Sequence, residues 1–466
     1  FHISLFSPLM IEEPIKVAVI GAGAAGLVAA RILSRHGISC KVIEKDDRAG
    51  GIWHFRPQDP THPMYRNLRT NLPREIMAYR ELPWTTPLGE KSFVTHTDVL
   101  KYLDDYRTLF NLDRYILYGS KVRHLMALTT HESRVKVQEE NKDKKNNSLP
   151  AIRLEWEQTS NGEVVSEIFD AVVIANGHYS LPSIPAIEGI QNFKGTIMHS
   201  VSYDSPEVFR GEIVLCIGGR ASGSDLAREI SHHAQHVFLS SSTVQIAMSH
   251  GNVTFVPKTL SIDEDGCVIF GKSCDVRPHV TTIIYCTGYD YSFPFINETS
   301  NLALAAEPNL RCVMPLYKHL WHADYPNVSF IGIPTSVVPF PLFELQIEAV
   351  LQQIVTHGQN LPSRLERGRS AERDAQDGGH LQNGRIQDTH FLGNAQWAYC
   401  HELASYAHID CSEVSRFITT NQSIYDHSHS VRSKGPSTSD SYREYVYVRD
   451  DSETGFRILE IPLEEE

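Results

Sequence analysis

The chain has 466 residues, of which 41% are hydrophobic and 21% charged, a composition typical of a globular protein of two or three domains. Its formal net charge of −13 argues against a non-specific nucleic-acid binder, because neutralising phosphates requires clustered lysine and arginine. The most apolar stretch, residues 328–355, is interrupted by three prolines and two glutamates, so we expect no transmembrane anchor.

Residues 1–9 precede the first methionine, Met10, and admit two interpretations. They are either the remnant of a cleaved signal peptide or sequence upstream of a start at Met10. We expect a cytoplasmic protein, or a secreted one if the first interpretation holds.

The first predicted elements form a βαβ unit: a β-branched strand at residues 15–20, a helix at 24–36 and a second strand at 40–43. Between the first strand and the helix lies a glycine-rich turn, Gly21-Ala22-Gly23-Ala24-Ala25-Gly26. In such a turn the first glycine permits tight bending, the second lets the backbone approach a pyrophosphate, and the third lets the helix pack on the strand. The helix N-terminus then offers unpaired N–H groups and its positive dipole end to the phosphates. We therefore assign these turn residues to a dinucleotide site: Gly21, Gly23, Ala24, Ala25 and Gly26.

Glu44 ends the second strand, 18 residues after the last glycine of the turn. A carboxylate there accepts hydrogen bonds from a ribose diol and repels a 2′-phosphate, so this site is predicted to take FAD or NAD rather than NADP. The run Gly50-Gly51-Ile52-Trp53 follows shortly afterwards. It is either a plain turn or a loop whose backbone approaches the ribityl or isoalloxazine part of FAD. On the second interpretation Gly51 and Trp53 are cofactor residues.

A second βαβ unit is predicted from a strand at 213–217, a helix at 224–233 and a strand at 236–239. Its turn, Gly218-Gly219-Arg220-Ala221-Ser222-Gly223, has arginine in place of the middle glycine. Two roles are open to Arg220: its guanidinium contacts a cofactor phosphate, or the site is degenerate. The second strand is followed by hydroxyl residues, not by an acid, which disfavours NAD and allows a 2′-phosphate; these residues are Ser240, Ser241, Ser242 and Thr243. We predict NADPH at this turn, bound by Gly218, Arg220, Ser222 and Gly223.

The remaining predicted elements are three strands and a helix, at residues 169–174, 282–285, 328–333 and 343–357. Two polar segments, 139–148 and 364–384, are predicted to be solvated surface loops.

Three further motifs carry a resemblance to a known family. Residues 193–203 fit the pattern Phe-x-Gly-x-x-x-His-x-x-x-Tyr, which resembles the identifying sequence of flavin-containing monooxygenases. Residues 285–289, Tyr-Cys-Thr-Gly-Tyr, resemble that family's Ala-Thr-Gly-Tyr strand end, with cysteine for alanine. Residues 71–77 are similar to its segment that carries a functional asparagine. The resemblance runs in order from about residue 16 to about residue 353 and is greatest to the soluble, anchor-free branch.

This resemblance implies an α/β fold with two dinucleotide-binding, Rossmann-like domains. The NADPH-binding domain, residues 196–295, is expected to be inserted into a discontinuous FAD-binding domain, residues 12–195 and 296–466. The family chemistry implied is reduction of FAD by NADPH, reaction of the flavin with dioxygen to a C4a-hydroperoxyflavin, and oxygen transfer to a soft nucleophilic nitrogen or sulfur of a small molecule, as in N,N-dimethylaniline monooxygenase activity.

The resemblance also implies roles for single residues. Asn71 is expected nearest the reactive flavin adduct; the alternative is a turn-forming asparagine before Leu-Pro. Thr287 and Gly288 are assigned to the cofactor site. His199 and Tyr203 either contact NADP or only pin the linker between the domains.

Several alternatives stay open at this point. Baeyer–Villiger monooxygenases have a related motif with Trp at the position of Tyr203, although Asp204 matches their next position. A protein that binds FAD but has lost NADPH use would also explain Arg220. Disulfide reductases need a redox cysteine pair, whereas the eight cysteines of this chain form no Cys-x-x-Cys pair, which also disfavours a metal site. The substrate is not specified, and neither is the oligomeric state, a homo-oligomer included.

Overall fold

The computed structural model describes residues 15–57, 59, 62–84, 90–128, 149–271, 274–306, 311–434 and 439–459. Residues 1–9, on which the expected compartment depends, lie outside this part of the chain. The polar segment predicted at 139–148 also lies outside it.

The described residues form α-helices and β-strands, each numbered in chain order. The α-helices are α1 (Ala24–Arg35), α2 (His96–Leu109), α3 (Ala221–Ser231), α4 (Pro339–Val355), α5 (Arg364–Asp377), α6 (Gln396–Tyr406) and α7 (Ser412–Ser433). The strands are β1 (Lys16–Ile20), β2 (Ser39–Ile43), β3 (Ile116–Leu117), β4 (Ser120–Ala127), β5 (Ile152–Gln158), β6 (Val164–Phe169), β7 (Ala171–Ile174), β8 (Leu181–Pro182), β9 (Thr196–His199), β10 (Ile213–Ile217), β11 (His236–Ser240), β12 (Met248–His250), β13 (Val253–Val256), β14 (Thr259–Ile262), β15 (Val268–Phe270), β16 (Thr282–Tyr285), β17 (Tyr289–Asp290), β18 (Leu316–Tyr317), β19 (Trp321–His322), β20 (Val328–Phe330), β21 (Val446–Arg449) and β22 (Phe456–Leu459).

The first βαβ unit forms the centre of a seven-stranded sheet, in the order β18-β19-β20-β7-β1-β2-β3. The strands from β20 to β3 are parallel, and β18 and β19 are added antiparallel. The central strand β1 is buried over four successive residues, because both faces of the sheet are covered. Helices α1 and α4 pack on one face, and the antiparallel sheet β4–β5–β6 packs on the other.

The second βαβ unit forms a six-stranded sheet, in the order β12-β13-β11-β10-β16-β9. All its strands are parallel except β12. These strands lie between residues 196 and 285, whereas the first sheet takes strands from before and after them. The predicted α/β class is therefore confirmed, with one Rossmann-like domain inserted into another. The domain limits stay a prediction: 12–195 and 296–466 for one domain, 196–295 for the other. The start of β9 at residue 196 agrees with the first boundary.

The prediction that residues 364–384 form a loop is wrong for their first part, which is helix α5. The helix begins with a capping box, in which Ser363 and Glu366 bond each other's backbone N–H groups. Its buried stripe consists of Arg367, Ala371 and Ala375, spaced four residues apart. Two alanines and an arginine have little hydrophobic contrast with their neighbours, so the helical periodicity is weak in the sequence.

Other predicted boundaries shift by a few residues. The strand predicted at 169–174 is divided at Asp170 between β6 and β7. Helix α3 begins three residues before its predicted start and ends at Ser231, so the pair His232 and His233 lies beyond it. Helix α4 begins at Pro339, since proline in the first turn lacks only an N–H that would be unpaired there.

Candidate active site

The first glycine turn has the close contacts that its sequence predicts. Gly21 has φ +100° and bonds the end of β2 through its N–H, at 2.9 Å from the Ile43 carbonyl. A Cβ at Gly26 would lie 1.8 Å from the carbonyl oxygen of Gly21, so only glycine fits. Gly23 is the N-cap of α1, with no side-chain cap and no acidic residue in the first turn. The N–H groups at Ala24 and Ala25 are thus free to bind a pyrophosphate.

The Gly50–Trp53 segment packs against this turn. The N–H of Gly50 donates to the Ala22 carbonyl at 3.0 Å. A Cβ at Gly51 would lie 3.0 Å from the Cα of Gly23, so the two glycine backbones are adjacent. The Trp53 ring packs edge-on against Phe340 of α4, with ring centroids 6.4 Å apart. The segment therefore lies beside the predicted pyrophosphate position, and its approach to the ribityl or isoalloxazine part of FAD stays a prediction.

Glu44 is held beside the same turn. Its Oε2 accepts from the N–H of Ala22 at 2.6 Å, and its Oε1 accepts from the N–H of Asp46 at 2.9 Å. Burial raises the pKa of Glu44, and these two backbone N–H groups oppose the shift. Each carboxylate oxygen keeps a lone pair that fits a ribose hydroxyl. The glycine cradle and this carboxylate therefore suit FAD.

The second turn has nearly the same backbone as the first. Gly218 has φ +116°, and a Cβ at Gly223 would lie 1.7 Å from the Gly218 carbonyl oxygen. Arg220 is the N-cap of α3 with φ −83° and ψ −169°, close to the φ −73° and ψ −170° of Gly23. Any residue adopts this extended conformation, so arginine is accommodated without strain. Ser222 is exposed in the first turn of α3, where it can face a phosphate.

The side chain of Arg220 is exposed and extends from the second domain toward the chain that follows that domain. Its guanidinium carbon lies 5.6 Å from the centre of the Phe391 ring. A second arginine, Arg311, donates to the Thr287 carbonyl oxygen. Burial and the nearby charge of Arg220 lower the pKa of Arg311. The two neighbouring cations make this position favourable for an anion, and no motif in the sequence indicates Arg311.

The prediction that Ser240 donates to a 2′-phosphate is wrong. The Ser240 hydroxyl is buried, donates to the Pro257 carbonyl at 3.0 Å and accepts from the N–H of Thr259 at 2.9 Å. It therefore joins neighbouring strands. The exposed hydroxyls of Ser242 and Thr243 follow it and keep the predicted role.

Both ring nitrogens of His199 bond to the backbone. The N–H of Val201 donates to Nδ1 at 3.1 Å, so Nε2 carries the proton and donates to the Gly288 carbonyl at 3.0 Å. Burial lowers the pKa of His199, in keeping with a neutral ring. Tyr203 is 3% exposed, and its hydroxyl donates to Glu229 of α3 at 2.6 Å. These contacts favour pinning of the linker over contact with NADP.

Thr287 and Gly288 close the end of β16 against the chain that enters the second domain. The Thr287 hydroxyl donates to the carbonyl of Ser183, and the N–H of Ser183 donates to the Gly288 carbonyl at 2.9 Å. Gly288 has φ +80°, which favours glycine. The guanidinium of Arg311 covers this glycine, because a Cβ at Gly288 would lie 3.5 Å from Nη2 of Arg311.

Asn71 lies in the loop that leads into Leu72 and Pro73, and it is half-buried. Among the described residues its carboxamide has no hydrogen-bond partner, although the peptides on either side of it are held. The N–H of Thr70 donates to the Val94 carbonyl at 2.8 Å, and the N–H of Arg74 donates to the Ser92 carbonyl at 2.8 Å. A free carboxamide on a fixed backbone is suited to a ligand.

Each glycine turn presents an uncapped helix N-terminus. The first lies beside a buried carboxylate and the second beside two arginines. This pair of sites defines an oxidoreductase that binds two dinucleotides. The comparisons make the class specific. The flavin-binding monooxygenase-like family matches residues 14–257, more than half of the chain. The chain belongs to this family.

Individual relatives support the same family assignment. The flavin-containing monooxygenase FMO GS-OX-like 2 of Arabidopsis thaliana is 37% identical over 75% of this chain and 76% of its own. The solved S-allyl-L-cysteine S-oxygenase of Allium sativum is 30% identical, with TM-score 0.78, over 92% of this chain and 94% of that one. Tmm of Pelagibacter sp., 22% identical with TM-score 0.73 over 95% of each chain, shares the fold.

The protein is thus a flavin monooxygenase that uses FAD, NADPH and dioxygen with a small-molecule substrate. Because the protein uses NADPH, the alternative of a FAD-binding protein that has lost NADPH use is excluded. In the described residues, no helix combines the length and apolarity needed to cross a bilayer. No cluster of three or more metal-ligating side chains occurs in that same part of the chain.

Proposed function

We propose that the protein transfers one oxygen atom of dioxygen to a nucleophilic sulfur or nitrogen of a small molecule, with sulfur the first choice. The observation that carries the proposal is the likeness to a solved S-oxygenase across 92% of the chain. A thioether sulfur or a tertiary amine is already nucleophilic, and its oxygenation needs no catalytic triad or metal.

Bound FAD and NADPH would supply the electron transfer to dioxygen, and the chain supplies binding, orientation and exclusion of water. On the flavin side, the N-terminus of α1 would bind the pyrophosphate and Glu44 the ribose diol. The loop at Gly51, held against Gly23, would bring backbone close to the ribityl chain or the ring.

On the nicotinamide side, Ser222 and the N-terminus of α3 would bind the pyrophosphate. Arg220, at the N-cap position, would add a cation for phosphate. Arg311, packed against Gly288 at the end of β16, would add a second cation. His199 and Tyr203 would keep the linker in place through their contacts with Gly288 and α3.

Asn71 would act at the reacting centre. Its carboxamide donates one hydrogen bond and accepts another, which suits a neutral polar group and the nicotinamide amide. Because the neighbouring peptides are fixed, the side chain is presented with little loss of conformational entropy. Water kept away from this position favours oxygen transfer over release of hydrogen peroxide.

The test is product analysis under ¹⁸O₂ with FAD-loaded protein and NADPH. Three substrates of similar size are compared: a thioether, a tertiary amine and a ketone, with omission of NADPH as the control. We expect one labelled oxygen in the sulfoxide or N-oxide, measured by mass spectrometry. Labelled ester or lactone from the ketone alone would instead assign a carbonyl monooxygenase. Hydrogen peroxide as the sole product would overturn oxygen transfer.

A further inference from the structure

Arg443, far along the chain from either glycine turn, is among the most buried charged side chains of the protein. Its side chain is 1% exposed, in the segment just before β21. A guanidinium has five N–H donors, and burying it without acceptors would be costly. The groups that accept hydrogen bonds from Arg443 therefore show which segments of the chain it holds together.

Two of these acceptors lie immediately before Asn71. Nε donates to the Thr70 carbonyl at 2.9 Å, and Nη2 donates to the Arg69 carbonyl at 3.4 Å. The peptide that leads into Asn71 is thus bound by a group 373 residues away in sequence from Thr70.

The other acceptors are carboxylates. Nη2 lies 3.0 Å from Oδ2 and 3.2 Å from Oδ1 of Asp225, which is on α3 in the second domain. Nη1 bonds Asp440, which also pairs with Arg228 of the same helix. Burial alone would lower the pKa of Arg443, but the two aspartates outweigh it and the pKa is raised. The guanidinium is therefore charged and joins α3 to the loop of Asn71.

Helix α3 begins at the second glycine turn, which is the proposed site of the nicotinamide nucleotide. We propose that Arg443 is a positioning residue that holds α3 and the loop of Asn71 in one fixed relation, an inference that rests on the proposed role of Asn71. Lysine keeps the charge but has a single ammonium group, which cannot reach two carbonyls and two carboxylates in this planar arrangement.

The test compares Arg443→Lys with a matched control, Arg432→Lys. Arg432 lies over the same Tyr442 ring, with its guanidinium carbon 5.3 Å from the centre against 5.1 Å for Arg443. It forms none of the ion pairs found in the described residues. Protein loaded with FAD is reduced by NADPH and mixed with dioxygen in a stopped-flow instrument. The return of the oxidised flavin spectrum and the hydrogen peroxide formed per NADPH are recorded.

We expect Arg443→Lys to retain FAD and to regain the oxidised spectrum about tenfold faster, which corresponds to a barrier lower by about 1.4 kcal/mol. Peroxide per NADPH should rise, and Arg432→Lys should behave as wild type. In an Asn71→Ala background with NADP⁺ at saturation, Arg443→Lys should add nothing to the flavin time course, because it affects that time course through Asn71. A lower melting temperature with an unchanged flavin time course would overturn the proposal, as would additive effects of the two substitutions.

Asp225→Asn provides a second route if Arg443→Lys does not fold, because it leaves both carbonyl contacts intact. Its expected effect is a several-fold higher Kd for NADP⁺, measured by titrating oxidised FAD-loaded protein without turnover. An unchanged Kd would count against the proposal that Arg443 orients α3. If wild-type protein itself regains the oxidised spectrum at once and forms no product, the proposed function fails; the Kd comparison then still decides whether this contact orients α3.

Discussion

Replacement of Arg220 tests most directly how the second glycine turn binds its cofactor. Arg220→Ala removes a guanidinium that is exposed, extends from the N-cap of α3 and lies over Phe391. A hydrogen bond to a charged group contributes about 1.5–3 kcal/mol when shielded from water. Exposure reduces this to about 1 kcal/mol, which corresponds to a roughly fivefold higher KM for NADPH.

The assay is NADPH-dependent reduction of bound flavin under anaerobic conditions, over a range of NADPH concentrations. Arg210→Ala, at another exposed arginine of the same domain, is the control for a general loss of positive charge. High salt should narrow the difference between Arg220→Ala and wild type, since the contact is electrostatic and exposed.

Arg220→Gly sharpens the experiment by restoring the usual glycine. The backbone angles of Arg220 match those of Gly23, so the glycine variant should keep the turn and the flavin. If the side chain contacts phosphate, the glycine and alanine variants should be weakened alike. An unchanged KM in both would refute the reasoning, and a lower KM in Arg220→Gly would show that the arginine obstructs the site.

Three further predictions concern other parts of the structure. Asn71→Ala should leave FAD bound but speed the return of the oxidised flavin spectrum after mixing with dioxygen; an unchanged time course and product yield would remove Asn71 from the site. Glu44→Gln should weaken FAD binding roughly tenfold, as expected from about 1.4 kcal/mol for a charge-assisted bond to ribose, measured by equilibrium dialysis; unaltered FAD affinity would argue against that contact. Ser363→Ala should lower the free energy of unfolding by about 1 kcal/mol through loss of the α5 capping box, and chemical denaturation with an unchanged midpoint would contradict it.

The two nucleotide turns could be predicted because their information is local. Gly21 and Gly218 each follow a short apolar strand, and the positive φ that both adopt is a property of glycine itself. The same holds for β16, whose four residues match the predicted strand. Strand and turn chemistry within ten residues was therefore enough to predict both glycine turns.

The parts that could not be predicted depend on contacts between distant segments. Arg443 reaches Thr70 across 373 residues, and nothing in the sequence near either residue indicates this pairing. Ser240 was expected to face the cofactor, but the neighbouring strands enclose its hydroxyl. A side chain at the end of a strand can point into a site or into the sheet, and only tertiary packing decides between them.

The difference between the two turns follows from what lies over each of them. At the first turn a second glycine loop is in contact with the backbone, and a Cβ at Gly23 would already meet the Cα of Gly51 at 3.7 Å. A longer side chain there would push that loop away from the flavin position. At the second turn the equivalent residue is exposed, and the arginine side chain extends to Phe391. The same backbone therefore allows only a small side chain where a loop covers it and accepts arginine where the position is exposed. The departure from the glycine pattern at Arg220 is thus explained better by an adapted phosphate site than by a degenerate one.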